Sequence, residues 1–246
     1  MSLLKSTKIW SNSILLAAIV CIVAIVVAIF GVRGEWLGIR TAFTTINYAT
    51  QAALPILIVA LVLFILARDN VQSRVKSGLA VFLLLIPVIN HYTNQPPKTS
   101  PGAPLNDIST DTQTPPNFNA VIPLRPAKSN TIEYPGAAAA KRQTELFPDI
   151  QPIISPLTTE QAFELALTIA EKKGWDIVAE DAQKGMIEAV SSTPVFSFED
   201  DVVIRITSAD TGSVVDMRSH SRIGRGDRGK NAQRVRDFIK QFKAGY

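Results

Sequence analysis

Cysteine is nearly absent from this sequence, with Cys21 the only one in 246 residues. A lone cysteine excludes an intrachain disulfide, and its place inside an apolar run takes thiolate chemistry and zinc clusters away from the rest of the chain. Histidine is almost as scarce, with His91 and His220 the only two. No His/Cys pair can hold a metal, and carboxylate spacing alone does not define a metal site, so no metal or cofactor is expected. His220 lies between Ser219 and Ser221, but neighbours on a strand point to opposite faces, and the motif lacks a Gly-x-Ser-x-Gly elbow. A catalytic triad is therefore not expected. Aromatic side chains are missing from Arg218 to Arg234. Without stacking platforms, the basic stretch there does not point to nucleic acid.

Charge is missing elsewhere. From Ile14 to Phe30 no charged or strongly polar side chain occurs, and the run is about long enough to cross ~30 Å of hydrocarbon as a helix. No small-x-small cleavage site follows before Arg33, so a retained anchor is expected rather than a signal peptide. A second run covers Ala52–Ala67, with Pro55 near its start. A third and shorter one covers Gly78–Ile89. These place spans near 13–31, 50–67 and 77–92 within a membrane segment of residues 1–92. Lys5 and Lys8 precede the first span, and Arg68, Arg74 and Lys76 crowd the loop after the second. The positive-inside rule puts both regions in the cytoplasm. With three spans the remainder of the chain lies outside; with two it lies inside. Three spans are expected, in an inner (plasma) membrane.

Beyond Tyr92 the composition turns to Pro, Thr, Asn and Asp, which predicts an extended Pro-rich linker over residues 93–130. A soluble domain is expected from 131 to 246. Thr158-x-x-Gln161 is a capping-box pattern opening a helix to Lys173. Strand candidates are Trp175–Ala179, Met186–Ser191, Val202–Thr207 and Val214–Ser221, separated by turn sequences. A short strand at Ile150–Ile154 and a short helix at Ala137–Glu145 precede them. A closing helix runs from about Arg228 to Lys243, with Phe238 and Phe242 toward the core. The fold class is α+β, a four-strand antiparallel meander between two helices in helix-grip-like order, with both helices on one face of the sheet.

Several stretches carry a resemblance. "PLNDISTD" at Pro104–Asp111, "YPG" at Tyr134–Gly136, "FPDI" at Phe147–Ile150, "GMIEA" at Gly185–Ala189, "FEDDVVIRI" at Phe198–Ile206 and "RSHSRIGRGDRGKNAQRV" at Arg218–Val235 resemble the bacterial domain of unknown function 1499. The match runs from about Pro97 to Phe242 and so begins inside the expected linker. The resemblance implies no activity, substrate or catalytic residues.

From Asp216 to Tyr246 nine Lys/Arg face three Asp. Arg218, Arg222, Arg225 and Arg228, around a Gly-rich turn before a helix, form a candidate anion site. Asp227 is placed to cap the last helix, with Gly224, Gly229 and Asn231 bracing the turn. Strand alternation groups Glu188, Arg205, Asp216 and Arg218 on the sheet face without helices, as a polar platform or an ion-pair ladder. Arg234, Arg236, Lys240 and Lys243 read as a solvated basic face. No catalytic residues are assigned. The functional reading is a membrane-anchored, non-catalytic binding or interaction module of the cell envelope. Its candidate ligand is an anionic group, such as an anionic lipid or envelope component, and nucleic acid is not a partner. One alternative is an enzyme acting on an envelope component through Asp200, Asp201 and Glu188. Another is a structural subunit of a membrane complex.

Overall fold

The computed structural model describes residues 3–93, 105–227 and 229–246, with side chains from Thr7 onward in the first helix. The chain divides into two compact units, Met1–Gln95 and Pro96–Tyr246.

The first unit is built from α1 (Leu3–Arg33), α2 (Ile39–Leu66) and α3 (Val71–Thr93). All three are long and apolar enough to cross a membrane. Small residues fill their mutual interface, with Ala18, Ala53, Ala60 and Ala80 buried beside Leu57 and Leu84. Larger side chains such as Leu16, Ile58, Ile65, Phe82 and Ile86 face outward. That distribution suits lipid surroundings, where close backbone approach holds helices together and apolar bulk faces the tails. The helices extend well past the apolar runs. Pro55, expected near a helix start, lies inside α2 because that helix begins at Ile39, and Pro87 lies inside α3. In a bundle, neighbouring helices and local adjustment tolerate such breaks.

The second unit contains β1 (Asp107–Ser109), a 3₁₀ turn (Ile122–Leu124), α4 (Ala137–Leu146), β2 (Ile153–Ser155), α5 (Thr159–Lys172), β3 (Asp176–Asp181), β4 (Met186–Ser192), β5 (Glu199–Ala209), β6 (Gly212–Ser221) and α6 (Lys230–Lys243). β3 to β6 form the antiparallel meander in sequence order. β1 and β2 both pair with β6, antiparallel, at its two ends. The α+β class and the meander between two helices are as the sequence predicts. Thr158 and Gln161 form the capping box at the start of α5. At Gly212, where φ is 109°, a Cβ would be driven into the Ser155 carbonyl. Glycine there lets β2 approach the start of β6.

Alternation along the strands gives the sheet two faces. Ile187, Ala189, Val202, Ile204, Ile206, Val215 and Met217 meet α5 and α6, including Phe163, Val235, Phe238 and Phe242. The opposite face is not open. Residues 105–134 run across it and bury Phe118 and Val121 on Val190 and Val203, with Ile132 packed against them. The expected linker over 93–130 thus differs from the structure: residues 94–104 lie outside the described residues, and 105–130 belong to the folded unit. Composition suggests a spacer because this segment's anchors are few and its other contacts are polar.

Candidate functional site

The motif strand β6 presents Asp216, Arg218, His220 and then Arg222 toward the 105–134 cover. Asp107, opposite His220 in the β1–β6 register, turns its carboxylate to Arg218. Arg218 Nε and Nη2 donate to its two oxygens at 2.9 and 2.7 Å. The guanidinium also donates to the carbonyls of Pro116 and Ile132. It lies 4.9 Å from the Phe118 ring centroid and 5.3 Å from that of Tyr134. Arg218 is 2% exposed. Such a bidentate, doubly flanked guanidinium is held by its own protein.

Arg222 is equally enclosed. Its Nε donates to Asp201 Oδ1 at 2.8 Å, and it also pairs with Glu199. Asp201, fully buried, takes Arg125 on its other oxygen. Arg125 Nη1 is 3.4 Å from His220 Nδ1, and its Nη2 donates to Asn130 O at 2.6 Å. Burial pushes the Asp107 and Asp201 carboxyls above their ordinary value against the pull of their arginines. Burial, helped by Arg125 and Arg218, pushes the His220 imidazole down to about 3. His220 is therefore neutral, 2% exposed and set against the Phe118 ring.

Glu188 and Arg205, expected on the same face, are there. Among the described residues Glu188 joins no ion pair. Its carboxylate accepts from the backbone N–H groups of Asn119, Ala120 and Val121, at 2.9 to 3.1 Å. This anchors the peptide that opens into the 3₁₀ turn. Arg205 bridges Asp216, directly opposite on β6, and Asp111 in the cover, at 2.8 and 3.0 Å. Thr110 Oγ1 donates to Asp216 as well.

The glycine turn is braced from within. Asp227 Oδ1 accepts from Gly229 N at 2.8 Å and its Oδ2 accepts from Asn231 N, so its carboxylate caps α6. Gly229 adopts φ 81° and Gly224 φ 88°. Asn231, fully buried, accepts from Ser219 Oγ at 2.7 Å. It donates to Ser221 Oγ at 2.8 Å and to Asn106 O at 3.0 Å. Arg234 extends this network to Asp200 at 2.7 Å. That differs from the solvated face expected of it, because Asp200 and Ser219 turn toward α6 while their neighbours turn away. Arg236 pairs with Asp149 near the surface.

Of the four candidate anion ligands, Arg218 and Arg222 hold carboxylates of their own chain, and Arg228 lies outside the described residues. Arg225 is exposed. The partners that sequence reasoning missed, Asp107, Asp111, Arg125 and Asn130, all sit in the stretch taken for a spacer. The "PLNDISTD" motif there was the available signal.

The strongest cross-check is a family model covering residues 107–242 and described as protein of unknown function, DUF1499. The chain belongs to the DUF1499 family. The matched span begins at Asp107 and so includes the cover and its ion pairs. A search of curated proteins finds no match. The DUF1499 unit also carries a groove of about 570 Å³ beside α4, lined by Thr112, Gln113, Tyr134, Gly136, Ala140 and Lys141 among others. Burial near Asp107 raises the Tyr134 phenol to about 12, so it stays protonated. Glu188, Asp200 and Asp201 do not line this groove.

Proposed function

We propose that the DUF1499 unit of this chain is a non-catalytic interaction module, held at a bacterial inner membrane on its outer side, that takes an anionic group. The observation that supports this reading is the division of the motif's arginines. Arg218 and Arg222 clamp the cover to the sheet, while Arg225 and Lys128 stand exposed on the segments that the Asn130–Gly224 hydrogen bond joins. The carboxylates of the enzymatic alternative argue in the same direction. Glu188 is committed to backbone N–H groups, Asp201 to two arginines and Asp200 to Arg234. Asp200 and Asp201 also point to opposite faces of β5, so the three do not converge on one cleft.

Two substitutions separate brace from contact. Arg222→Met leaves Asp201 and Glu199 short of a partner and costs about 3–5 kcal/mol of stability. Arg225→Glu changes stability by less than about 0.5 kcal/mol. A photoreactive residue replacing Arg225 should give adducts in native membranes that one replacing Lys184, in the β3–β4 turn, does not. Equal labelling from both positions, or an Arg225→Glu variant that fails to fold, sinks the reading.

A further inference from the structure

The surface around Arg225 is more specific than a basic turn. β1 begins, β4 ends, β5 begins and β6 ends at one end of the sheet, which brings three loops together there. Arg222 also donates to Leu124 O, in the 3₁₀ turn of the cover that passes this end. Arg222 N donates to Glu199 O, where the β4–β5 loop (residues 193–198) rejoins the sheet. Asn130 donates from its backbone to Arg222 O and from its side chain to Gly224 O. These hydrogen bonds tie the segments together at this end of the sheet.

What the loops present outward is apolar at the tips and basic beside them. Ile122 is 46% exposed, Leu124 54% and Val195 49%. Phe196 and Phe198, in and after the same loop, stack with centroids 5.1 Å apart. Lys128 and Arg225 are exposed on the segments tied together by Asn130 and Arg222. Glu199, the loop carboxylate next to it, is paired with Arg222. A bare apolar tip with free positive charge around it is the chemistry of a surface that dips into a headgroup layer.

The chain's connectivity says which layer is within reach. Leu105, the first described residue of this unit, accepts from Asp227 N through its carbonyl, while Asn106 Nδ2 donates to Gly224 O at 2.9 Å. The chain therefore joins the folded unit at this same loop end. Twelve peptide steps separate Leu105 from Thr93, the last residue of α3, a contour of at most ~43 Å.

We infer that the loop end formed by Ile122, Leu124, Lys128, Val195 and Arg225 docks on an anionic bilayer surface. The apolar tips enter the interface, and the two bases meet lipid phosphates. This rests on the interaction reading above and names its partner.

The test uses the full chain with Cys21→Ser, carrying a single cysteine in place of Val195 or, as control, of Lys184. Each is labelled with an environment-sensitive fluorophore and placed in nanodiscs containing nitroxide lipid. The discs are phosphatidylcholine alone or an equimolar mixture with phosphatidylglycerol. The label at position 195 is expected to shift to the blue and to be quenched several-fold more in the anionic discs. The label at 184 should not respond. Lys128→Glu with Arg225→Glu should remove the dependence on phosphatidylglycerol, and Leu124→Asp should lower quenching in both discs. A label at 195 that stays in water in the anionic discs, or quenching that the charge reversals leave unchanged, overturns the inference. If that result comes with position-225 adducts on a protein or a soluble phosphate, the interaction reading survives and its partner is that one. If position 225 gives no adducts either, both fall.

Discussion

His220 shows how one neutral side chain ties the fold to pH. It sits among Arg125, Arg218, Asp107 and Asp201, and burial with the two arginines lowers its pKa from an ordinary 6.5 to about 3. In the unfolded chain the imidazole takes a proton as pH falls through its ordinary value, while in the fold it does not. The unfolded state then binds more protons, and stability drops on acidification. The contribution is complete above the unfolded pKa and is lost between there and about 3. Asp107 and Asp201, raised by burial, act in the opposite sense, adding stability as pH falls toward the ordinary carboxylate value. The contribution of His220 is therefore read as a difference between variants. Between about pH 7 and pH 5, denaturant melts of the detergent-solubilised chain should lose up to ~2 kcal/mol more in the wild type than in His220→Gln. Parallel pH profiles would show that the histidine is not held neutral.

At the scale of elements, the edge of the sheet at β1 is closed by a side chain. Gln143 of α4 accepts from Ser109 N at 3.0 Å and donates to Ser109 O at 2.6 Å, so its amide pairs like one more strand residue. It is 1% exposed. Gln143→Ala leaves both backbone groups without a partner in a dry site and should cost about 2–4 kcal/mol. Gln143→Glu restores the acceptor but not the donor and should recover little. Loss of protection at the Ser109 amide in hydrogen exchange is the direct readout, and protection that survives the alanine would assign the closure to something else. The regular elements were legible beforehand, because apolar periodicity and turn residues write β3 to β6, α5 and α6 into the sequence. Cover, β1 and edge closure were not. A stretch held by Asp107, Asp111, Arg125 and backbone N–H groups has the composition of a spacer, and only its partners across the sheet turn it into structure. The same reason hid the fate of the arginines: period-2 alternation placed Arg218 and Arg222 on the helix-free face but could not say what covers it.

For the whole molecule, the deciding quantity is the parity of its spans. Lys5 and Lys8 precede the apolar core of α1, and Arg68, Arg74 and Lys76 cluster where α2 gives way to α3. Lys76 Nζ donates to Asn12 Oδ1 at 2.6 Å, so the start of α3 and the early part of α1 stand at the same level of the bundle. The bases near the α1–α2 turn are Arg33 and Arg40, beside Glu35 and an exposed Trp36. Lysine and arginine collect on the cytoplasmic side, and amphipathic aromatics at the boundaries. On the three-span reading proposed above, the DUF1499 unit lies outside. Alkaline phosphatase fused after Tyr246 should be active and a green fluorescent protein fusion at the same place dark. Removing Val71–Thr93 leaves an even number of spans and should exchange the two signals. The deletion matters because α3 is the least apolar of the three long helices. Were α3 to lie along the surface instead, the intact chain would already give the fluorescent result, and the unit would face the anionic lipids of the cytoplasmic leaflet. Charge on the loop end fits either leaflet, so the fusion assay fixes the compartment and the nanodisc assay the chemistry, and neither result presupposes the other.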